Sequence, residues 1–404
     1  MAPDGMPRPD SPVQARLLHM LRDEGPLSRA DVGQRLGVTR ARLAADVERL
    51  SGIGLVEHAG PAASRGGRRS TLVRLAPQVR FAGIDLGATS ISAEVVDGEL
   101  TPLAFVEEPA DIRDGPSAVL DRVQEILGKL QAEGTYSSLA AIGMGVPGPV
   151  SFRDGVPASP PIMPGWDGYP VRDTLARANG CPAAIDNDVN IMIMGERHGG
   201  VARSLDDVLF VKIGTGIGCG IIVNGQLYRG NDGCAGDIGH IQADPAGPAC
   251  SCGHVGCLEA VFGGAALGRS ALAVARSGAS PWLAERLACA GAVGARDVAE
   301  AAAAGDVASL GLIRDGGRAV GAVLAGLVSF FNPSMIVIGG GLSQLGHLLL
   351  ADIRSVIYRR SLPLATHNLP VVLSELGPRA GVAGASLLAS ELVFGSPGTA
   401  EAGR

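Results

Sequence analysis

Apolar residues recur at helical spacing near the start of the chain. Val13, Leu17 and Met20-Leu21 form one stripe after Ser11-Pro12, a helix start signal. Ser28 stands where it can cap a second helix with Val32 and Leu36 on its inner face. Gly37-Val38 predicts a short turn, and Thr39 caps a third helix with Leu43, Val47 and Leu50 at i, i+4 and i+7. Gly52 and Gly54 end it. Leu55-Val56-Glu57 and Thr71-Leu72-Val73-Arg74-Leu75 then read as two strands around a basic tip, Arg65-Gly66-Gly67-Arg68-Arg69. Two short helices joined by a glycine turn and followed by a hairpin predict a winged helix-turn-helix over residues 1–78.

After Pro77 the pattern changes to short apolar runs that end in glycine. Phe81-Ala82-Gly83-Ile84-Asp85-Leu86 leads into Gly87-Ala88-Thr89, another strand, and a hairpin signal at Asp97-Gly98. The layout returns in Val208 to Ile213, the turn Gly214-Thr215-Gly216-Ile217-Gly218, Gly220 to Val223, and Asn224-Gly225. Gly87 matches Gly214, Gly98 matches Gly225 and Leu100 matches Leu227, each 127 positions apart, so the register agrees without gaps. Further strands run into glycine at Ile142-Gly143-Met144-Gly145 and at Ile336 to Gly341. Helical stretches between them predict a duplicated α/β body. The longest apolar run, Ala319 to Phe331, has 13 residues, too short to span a bilayer, and reads as a buried helix. The alanine-rich stretch from Ala290 to Ala304 reads as a pair of surface helices.

Charge sharpens the division. The chain has 404 residues and a formal net charge of −6, yet residues 28–80 carry ten arginines against four acids, so that segment is +6 and the rest −12. A basic module on an acidic body points to DNA as the partner of the module. Thr39, Arg40 and Arg42 lie at the start of the third helix, where a recognition helix meets base edges. Arg65, Arg68 and Arg69 at the wing tip suit a narrow minor groove. The alternative is a plain three-helix domain with solvated arginines. Apolar content of 46% supplies real cores. No signal-type apolar core opens the chain, and seven mostly scattered cysteines fit a reducing cytoplasm.

Cys250-Ser251-Cys252-Gly253-His254-Val255-Gly256-Cys257-Leu258-Glu259 is the densest chemistry in the chain, with His240 ten residues upstream of Cys250. Three thiols and an imidazole suit a tetrahedral Zn2+, and Gly253 and Gly256 let the backbone turn tightly around it. Disulfides or unlinked core cysteines are the alternative. Cysteines one residue apart rarely reach disulfide geometry, and a third leaves one unpaired. The glycine turns at strand ends expose backbone N–H groups that can cradle phosphate, or merely make tight hairpins.

With these motifs in place the chain resembles the ROK family of repressors and sugar kinases, and within it the branch with an N-terminal winged helix-turn-helix. The resemblance covers nearly the whole chain. It rests on Asp85-Leu86-Gly87-Ala88-Thr89, Gly145-Val146-Pro147-Gly148-Pro149, Asp186-Asn187-Asp188, Gly214 to Gly218, Gly239-His240 and the cysteine loop. It implies a two-lobed, actin-like, sugar-kinase-like body. The first lobe is 79–200, completed by a helix near 381–395; the second is 201–380, with a zinc loop at 240–259. It implies a structural zinc on His240, Cys250, Cys252 and Cys257, with His254 outside the ligand set. It implies a sugar pocket lined by Asn187, Asp188, Asp237, His240 and Glu259, with Asp188 as the base of a kinase. It implies ATP phosphates and Mg2+ at Asp85, Gly87, Thr89, Gly214, Thr215, Gly216 and Gly340. Three positions depart from the kinases: Ala88 and Ser90 in the first turn, and Asp237 where glutamate is usual. The methyl of Ala88 would crowd a phosphate.

The expected function is a sugar-responsive transcriptional regulator, a repressor, that reads operator DNA. A sugar or sugar phosphate effector would bind between the lobes. The expected assembly is a homo-oligomer, a dimer or dimer of dimers, in the cytoplasm without a membrane partner. The competing function is an ATP-dependent hexose kinase using Asp188.

Overall fold

The computed structural model of the protein describes residues 8–61 and 71–396. These fall into two compact units, one reaching Ile191 and resuming at Gly381, the other Met192–Ala380.

The first unit begins with helices Pro12–Glu24, Arg29–Leu36 and Arg40–Gly52. Each starts where a hydroxyl caps it: Ser11 accepts from the N–H of Gln14, Ser28 from Asp31 and Thr39 from Arg42. Gly37 ends the second helix in the left-handed region at φ 66°. Leu17, Leu21, Val32, Leu43, Val47 and Leu50 are all buried, as their spacing requires. Strands Val56–Pro61 and Thr71–Leu75 pair antiparallel. A two-residue strand, Leu27–Ser28, joins the outer edge of Thr71–Leu75 and was not expected, because two residues carry no alternation. The expected wing-tip residues Arg65, Gly66, Gly67, Arg68 and Arg69 lie outside the described residues.

The larger sheet of this unit runs Ala183–Asn187, Ala141–Val146, Arg80–Leu86, Ser90–Asp97, Pro102–Pro109. The first three are parallel and the last two are added antiparallel. In the second unit the sheet runs Val371–Leu373, Met335–Gly339, Val208–Ile213, Ile217–Val223, Gln226–Leu227, with the same sequence of parallel and antiparallel pairings. The duplication is therefore topological. Its register needs correction. Leu86 pairs with Ile91, leaving four residues in the first turn, whereas Ile213 pairs with Ile217, leaving three. The constant spacing thus slips by one residue after Gly87 and Gly214. The later turns absorb the difference: Asn224 and Gly225 form a two-residue hairpin at φ 48° and 73°, while the first unit uses a bulge at Val95/Val96 and Leu100 at φ 60°.

The helix Ala380–Phe394 packs on the first sheet where two glycines open the way. A Cβ on Gly83 would meet Ser386 Oγ at 2.3 Å, and one on Gly143 would meet the Ala385 carbonyl at 1.9 Å. At the far end Phe394 meets Phe81 edge-on, with centroids 5.4 Å apart. Phe81, Val96, Ala389, Val393 and Phe394 share one apolar core with Leu17, Leu21, Val47 and Leu55. The N-terminal helices are therefore fused to the first sheet by packing.

In the second unit, residues 319–331 form the end of a 25-residue helix, Val307–Phe331. Only one face is buried: Val320, Leu324 and Val328 are inside, while Phe330 is 90% exposed. The expectation of a wholly buried helix is corrected accordingly. Among the described residues no helix is long and apolar enough to cross a membrane. The alanine-rich stretch falls in helices Pro281–Ala290 and Ala295–Ala303, and the second of these is not superficial, since Val298, Ala301 and Ala302 enter the core.

Candidate metal centre and ligand sites

His240, Cys250, Cys252 and Cys257 each offer one ligand atom, and these four atoms lie within 4.8 Å of one another. Their clustering follows from a tight loop. The N–H of Cys250 donates to the His254 carbonyl, and that of Gly253 donates to the Cys250 carbonyl. Gly253 and Gly256 take φ 90° and 73°, and a Cβ on Gly256 would meet the Asp244 carbonyl at 1.5 Å. Cys252 Sγ and Cys257 Sγ are 3.7 Å apart, and Cys250 Sγ is 3.5 Å from His240 Nδ1. The sulfur separation rules out a disulfide, whose bond is about 2.05 Å. It matches the edge of a tetrahedron with metal–sulfur bonds of about 2.3 Å, roughly 3.8 Å. The donor set and spacing therefore fit a metal ion of the zinc class, which would supply a cross-link between His240 and the loop. His254 Nδ1 lies 3.4 Å from Cys252 Sγ but stands outside the four-atom cluster. The remaining thiols differ in kind: burial pushes Cys219 up to about 12 and Cys181 up to about 11, so neither ionises near neutrality.

The loop hands its order to neighbouring groups. Cys257 precedes the short helix Leu258–Phe262, anchored by the Leu258 N–H on the Ile241 carbonyl. Glu259 on that helix accepts the Ile217 N–H at 3.1 Å. Ile217 follows the Gly214-Thr215-Gly216 turn, and a Cβ on Gly216 would come within 2.4 Å of Glu259 Oε2. The N–H of Gly264 holds the same turn through the Gly214 carbonyl. Gly340 stands beside it at φ 83°, where a Cβ would strike the Ile213 carbonyl at 2.7 Å. His240 presents Nδ1 to Cys250 and Nε2 to Asp237 Oδ1 at 4.0 Å. One residue thus faces both the thiols and a half-exposed carboxylate. Expected residues Gly214, Thr215, Gly216, Gly340, His240 and Glu259 are brought together, and Asp237 lies against His240.

In the first unit, Asn187 ends a strand and Asp188 begins the helix Asp188–Gly199. Asn187 Oδ1 accepts the N–H of Val189 and of Asn190, and its Nδ2 donates to the Gly148 carbonyl at 2.8 Å. This amide is a helix cap and also fixes the loop at Gly148. Asp188 is 4% exposed. Asp186 is buried and accepts the N–H of Asn187 and the Asn190 side chain. The turn at Gly87 and Thr89 is closed by the Gly87 N–H on the Ser90 carbonyl, and the carbonyls of Ala88 and Thr89 accept from Ile112 and Ala110. The Ala88 side chain packs against the first-unit core. Asp85 is the penultimate residue of its strand and lies against Gly381 in the first turn of the closing helix; a Cβ on Gly381 would strike Asp85 Oδ2 at 1.9 Å. Sequence reasoning missed Trp166, fully buried, whose Nε1 donates to the Ile112 carbonyl at 3.0 Å. It fastens the 160–169 loop beside this turn. A lone tryptophan among prolines and glycines was its only sequence signal.

Among the expected DNA contacts, Thr39, Arg40 and Arg42 are exposed at the start of the third helix. The Thr39 hydroxyl already caps that helix.

The comparisons divide along the chain. A 32%-identical glucokinase of Thermotoga maritima is matched over its whole length by 79% of this chain. A xylose repressor of Caldicellulosiruptor bescii is 29% identical, matching 91% of this chain and 92% of its own. A crystal structure of a ROK family transcriptional regulator, a homolog of the E. coli MLC protein, superposes with a TM-score of 0.79 at 25% identity, covering 94% of this chain and 96% of that one. The α/β body thus has the sugar-kinase-like, actin-like fold of that family. The ROK family model matches residues 81–392, well over half of the sequence, and the chain belongs to the ROK family.

Proposed function

We propose that this protein is a sugar-responsive, DNA-binding transcriptional regulator that acts as a repressor. The carrying observation is the extent of the likeness. The family match begins at residue 81, yet the xylose repressor matches 91% of the chain, so the likeness to a repressor takes in the basic N-terminal helices as well as the body. On this reading those helices and their hairpin are a winged helix-turn-helix. Thr39, Arg40 and Arg42 meet operator DNA in the major groove, and Arg65, Arg68 and Arg69 meet it in the minor groove. A homo-oligomer presents the helices in pairs to paired half-sites.

The effector is a sugar or sugar phosphate. On this reading Asn187, Asp188, Asp237, His240 and Glu259 bind its hydroxyls, which carboxylates and amides serve as paired donors and acceptors. Zn2+ on His240, Cys250, Cys252 and Cys257 holds His240 and Glu259 in place. The sugar acts on DNA affinity through its differing affinity for two arrangements of the protein.

The 32% identity to a glucokinase favours one competing reading, an ATP-dependent hexose kinase. Asp188 would accept the proton of the attacking hydroxyl. ATP and Mg2+ would lie at Asp85, Gly87, Thr89, Gly214, Thr215, Gly216 and Gly340. The Ile217 N–H is committed to Glu259, so the second turn would meet phosphate with the N–H groups of Thr215 and Gly216.

Fluorescence anisotropy on the protein's own upstream DNA, at fixed salt, tests the regulator. Affinity that one sugar of a panel shifts tenfold or so supports it. Absence of sequence-selective binding, together with ATP turnover that Asp188→Asn abolishes, replaces it with the kinase.

A further inference from the structure

We propose that Asp46 is a positioning residue for DNA recognition: it presets the guanidinium of Arg42 so that the two terminal nitrogens face a base edge. The inference rests on the DNA-binding reading above and deepens it.

Asp46 lies in the middle of the helix Arg40–Gly52 and is 3% exposed. A buried carboxylate is costly unless both oxygens are satisfied. Here they are divided. Oδ1 accepts from Gln14 Nε2 at 2.9 Å, and Oδ2 accepts from Arg42 Nε at 2.8 Å. Gln14 is itself 3% exposed and comes from the first helix; its Oε1 accepts the Asp10 N–H at 2.8 Å. Asp10 in turn takes Arg49 Nη2 on Oδ1 at 2.6 Å. One chain of hydrogen bonds therefore runs Arg42, Asp46, Gln14, Asp10, Arg49, and it ties two of the three arginines of the third helix to the first helix and the residues just before it.

An ordinary i,i+4 pair on a helix surface contributes a few tenths of a kcal/mol and holds nothing still. This pair differs because one partner is buried and pinned by a second helix. Arg42 is 54% exposed, and its bond to Asp46 uses Nε alone. Nη1 and Nη2 keep the fork that reads guanine O6 and N7 or grips a phosphate. An arginine already ordered loses less side-chain freedom on binding. Arg40, two residues away, makes no ion pair among the described residues and has no such support. Arg42 sits in the first turn of the helix, the part that meets base edges, whereas Arg49 lies in the last turn and suits the backbone. Within the first turn the structure thus separates a fixed reader, Arg42, from an unfixed neighbour, Arg40.

The test uses the full-length protein and the best duplex it selects from a random library, compared with a scrambled duplex. If the wild-type protein selects no sequence, the DNA-binding reading itself fails. If it does, Asp46→Asn should cut the preference for the selected duplex about tenfold while changing affinity for the scrambled one little. Arg42→Lys should do the same, and adding Asp46→Asn to Arg42→Lys should cost no further selectivity. Gln14→Met, which keeps the acid but removes the N–H that pins it, should lose selectivity in the same direction and serves if Asp46→Asn does not fold. Full selectivity in Asp46→Asn, or an equal loss with Arg42 already replaced, overturns the proposal.

Discussion

Arg22 Nη1 lies 2.6 Å from Glu391 Oε1, joining the first helix of the N-terminal module to the last helix of the family body. The arginine side chain is 8% exposed, so its charge depends on protein partners. Ser390 accepts from the same nitrogen at 3.0 Å, and Asp23 accepts from Nε. His19 Nε2 meets the other oxygen of Glu391 at 3.1 Å. This polar clamp borders the apolar core in which Phe394 packs on Phe81.

Removing Glu391 should loosen that junction first. Glu391→Ala strips a buried arginine of its strongest partner, a change that costs about 3–5 kcal/mol in a fully buried pair. Glu391 is 40% exposed and Asp23 remains, so about 1–2 kcal/mol is expected after solvent screening. Thermal unfolding should show the loss, and amide exchange should rise in Pro12–Glu24 before it rises in the sheets. Uniform exchange throughout the first unit would speak against a local clamp.

The same junction should be acid-sensitive. Burial alone would raise the Glu391 carboxyl; the hydrogen bond from His19 and the charge of Arg22 outweigh it and bring it to about 2 from an ordinary 4.5. A depressed carboxylate gives stability that is complete above its unfolded value and fades as pH falls through the folded one. The contribution should therefore persist above about pH 4.5 and be lost between there and about pH 2. Urea unfolding near pH 5 and near pH 3 should find the gap between wild type and Glu391→Gln narrowing at the lower value. Asp111 is also lowered, to about 2, by its hydrogen bonds from Arg113, but that pair is exposed. High salt should erase its part and leave that of Glu391.

Two glycine substitutions should behave oppositely. In Gly143→Ala the methyl meets a backbone carbonyl, that of Ala385, at 1.9 Å, and neither the sheet nor the closing helix can yield cheaply. A loss of about 1–3 kcal/mol or more is expected from overpacking. In Gly216→Ala the nearest atom is Glu259 Oε2 at 2.4 Å, the end of a flexible side chain. The carboxylate can swing off the Ile217 N–H, so stability should fall less while sugar affinity falls more. Calorimetry of unfolding and of sugar titration separates the two; equal stability losses would mean that Glu259 is as rigid as backbone.

What could be read from the sequence was what depends on near neighbours. Ser11, Ser28 and Thr39 each cap a helix through the N–H group three residues away. The metal cluster needs only His240 and a loop of eight residues from Cys250 to Cys257. The fold of the body came through because strand ends, glycine turns and their duplication leave a periodic trace. The one-residue slip in that duplication did not, since Gly87 and Gly214 align whether the turn has four residues or three. Asn187 reads equally as sugar ligand or helix cap, and only the positions of Val189, Asn190 and Gly148 show the cap. Asp46 was hidden by its arginine neighbours. Its spacing from Leu43 and Leu50 already placed it on the inner face, where a carboxylate must have partners. The bond from Ile217 to Glu259 spans 42 positions and has no local signal.

That bond makes metal removal informative. The four ligand atoms lie within 4.8 Å and include three thiols, which repel one another as thiolates unless a cation sits among them. Cys257 adjoins the helix that carries Glu259, and Glu259 holds the Ile217 N–H. Protein purified without added metal should carry about one zinc per chain by elemental analysis. Chelation, or Cys252→Ser, should free the loop. Amide exchange should then accelerate at Ile217 and through Leu258–Phe262, while the first unit keeps its protection. Sugar affinity should fall with it, because His240 and Glu259 lose their common support. Zinc-free protein with unchanged exchange at Ile217 would mean that backbone hydrogen bonds alone hold the loop, and that the metal plays no part in ordering the carboxylate.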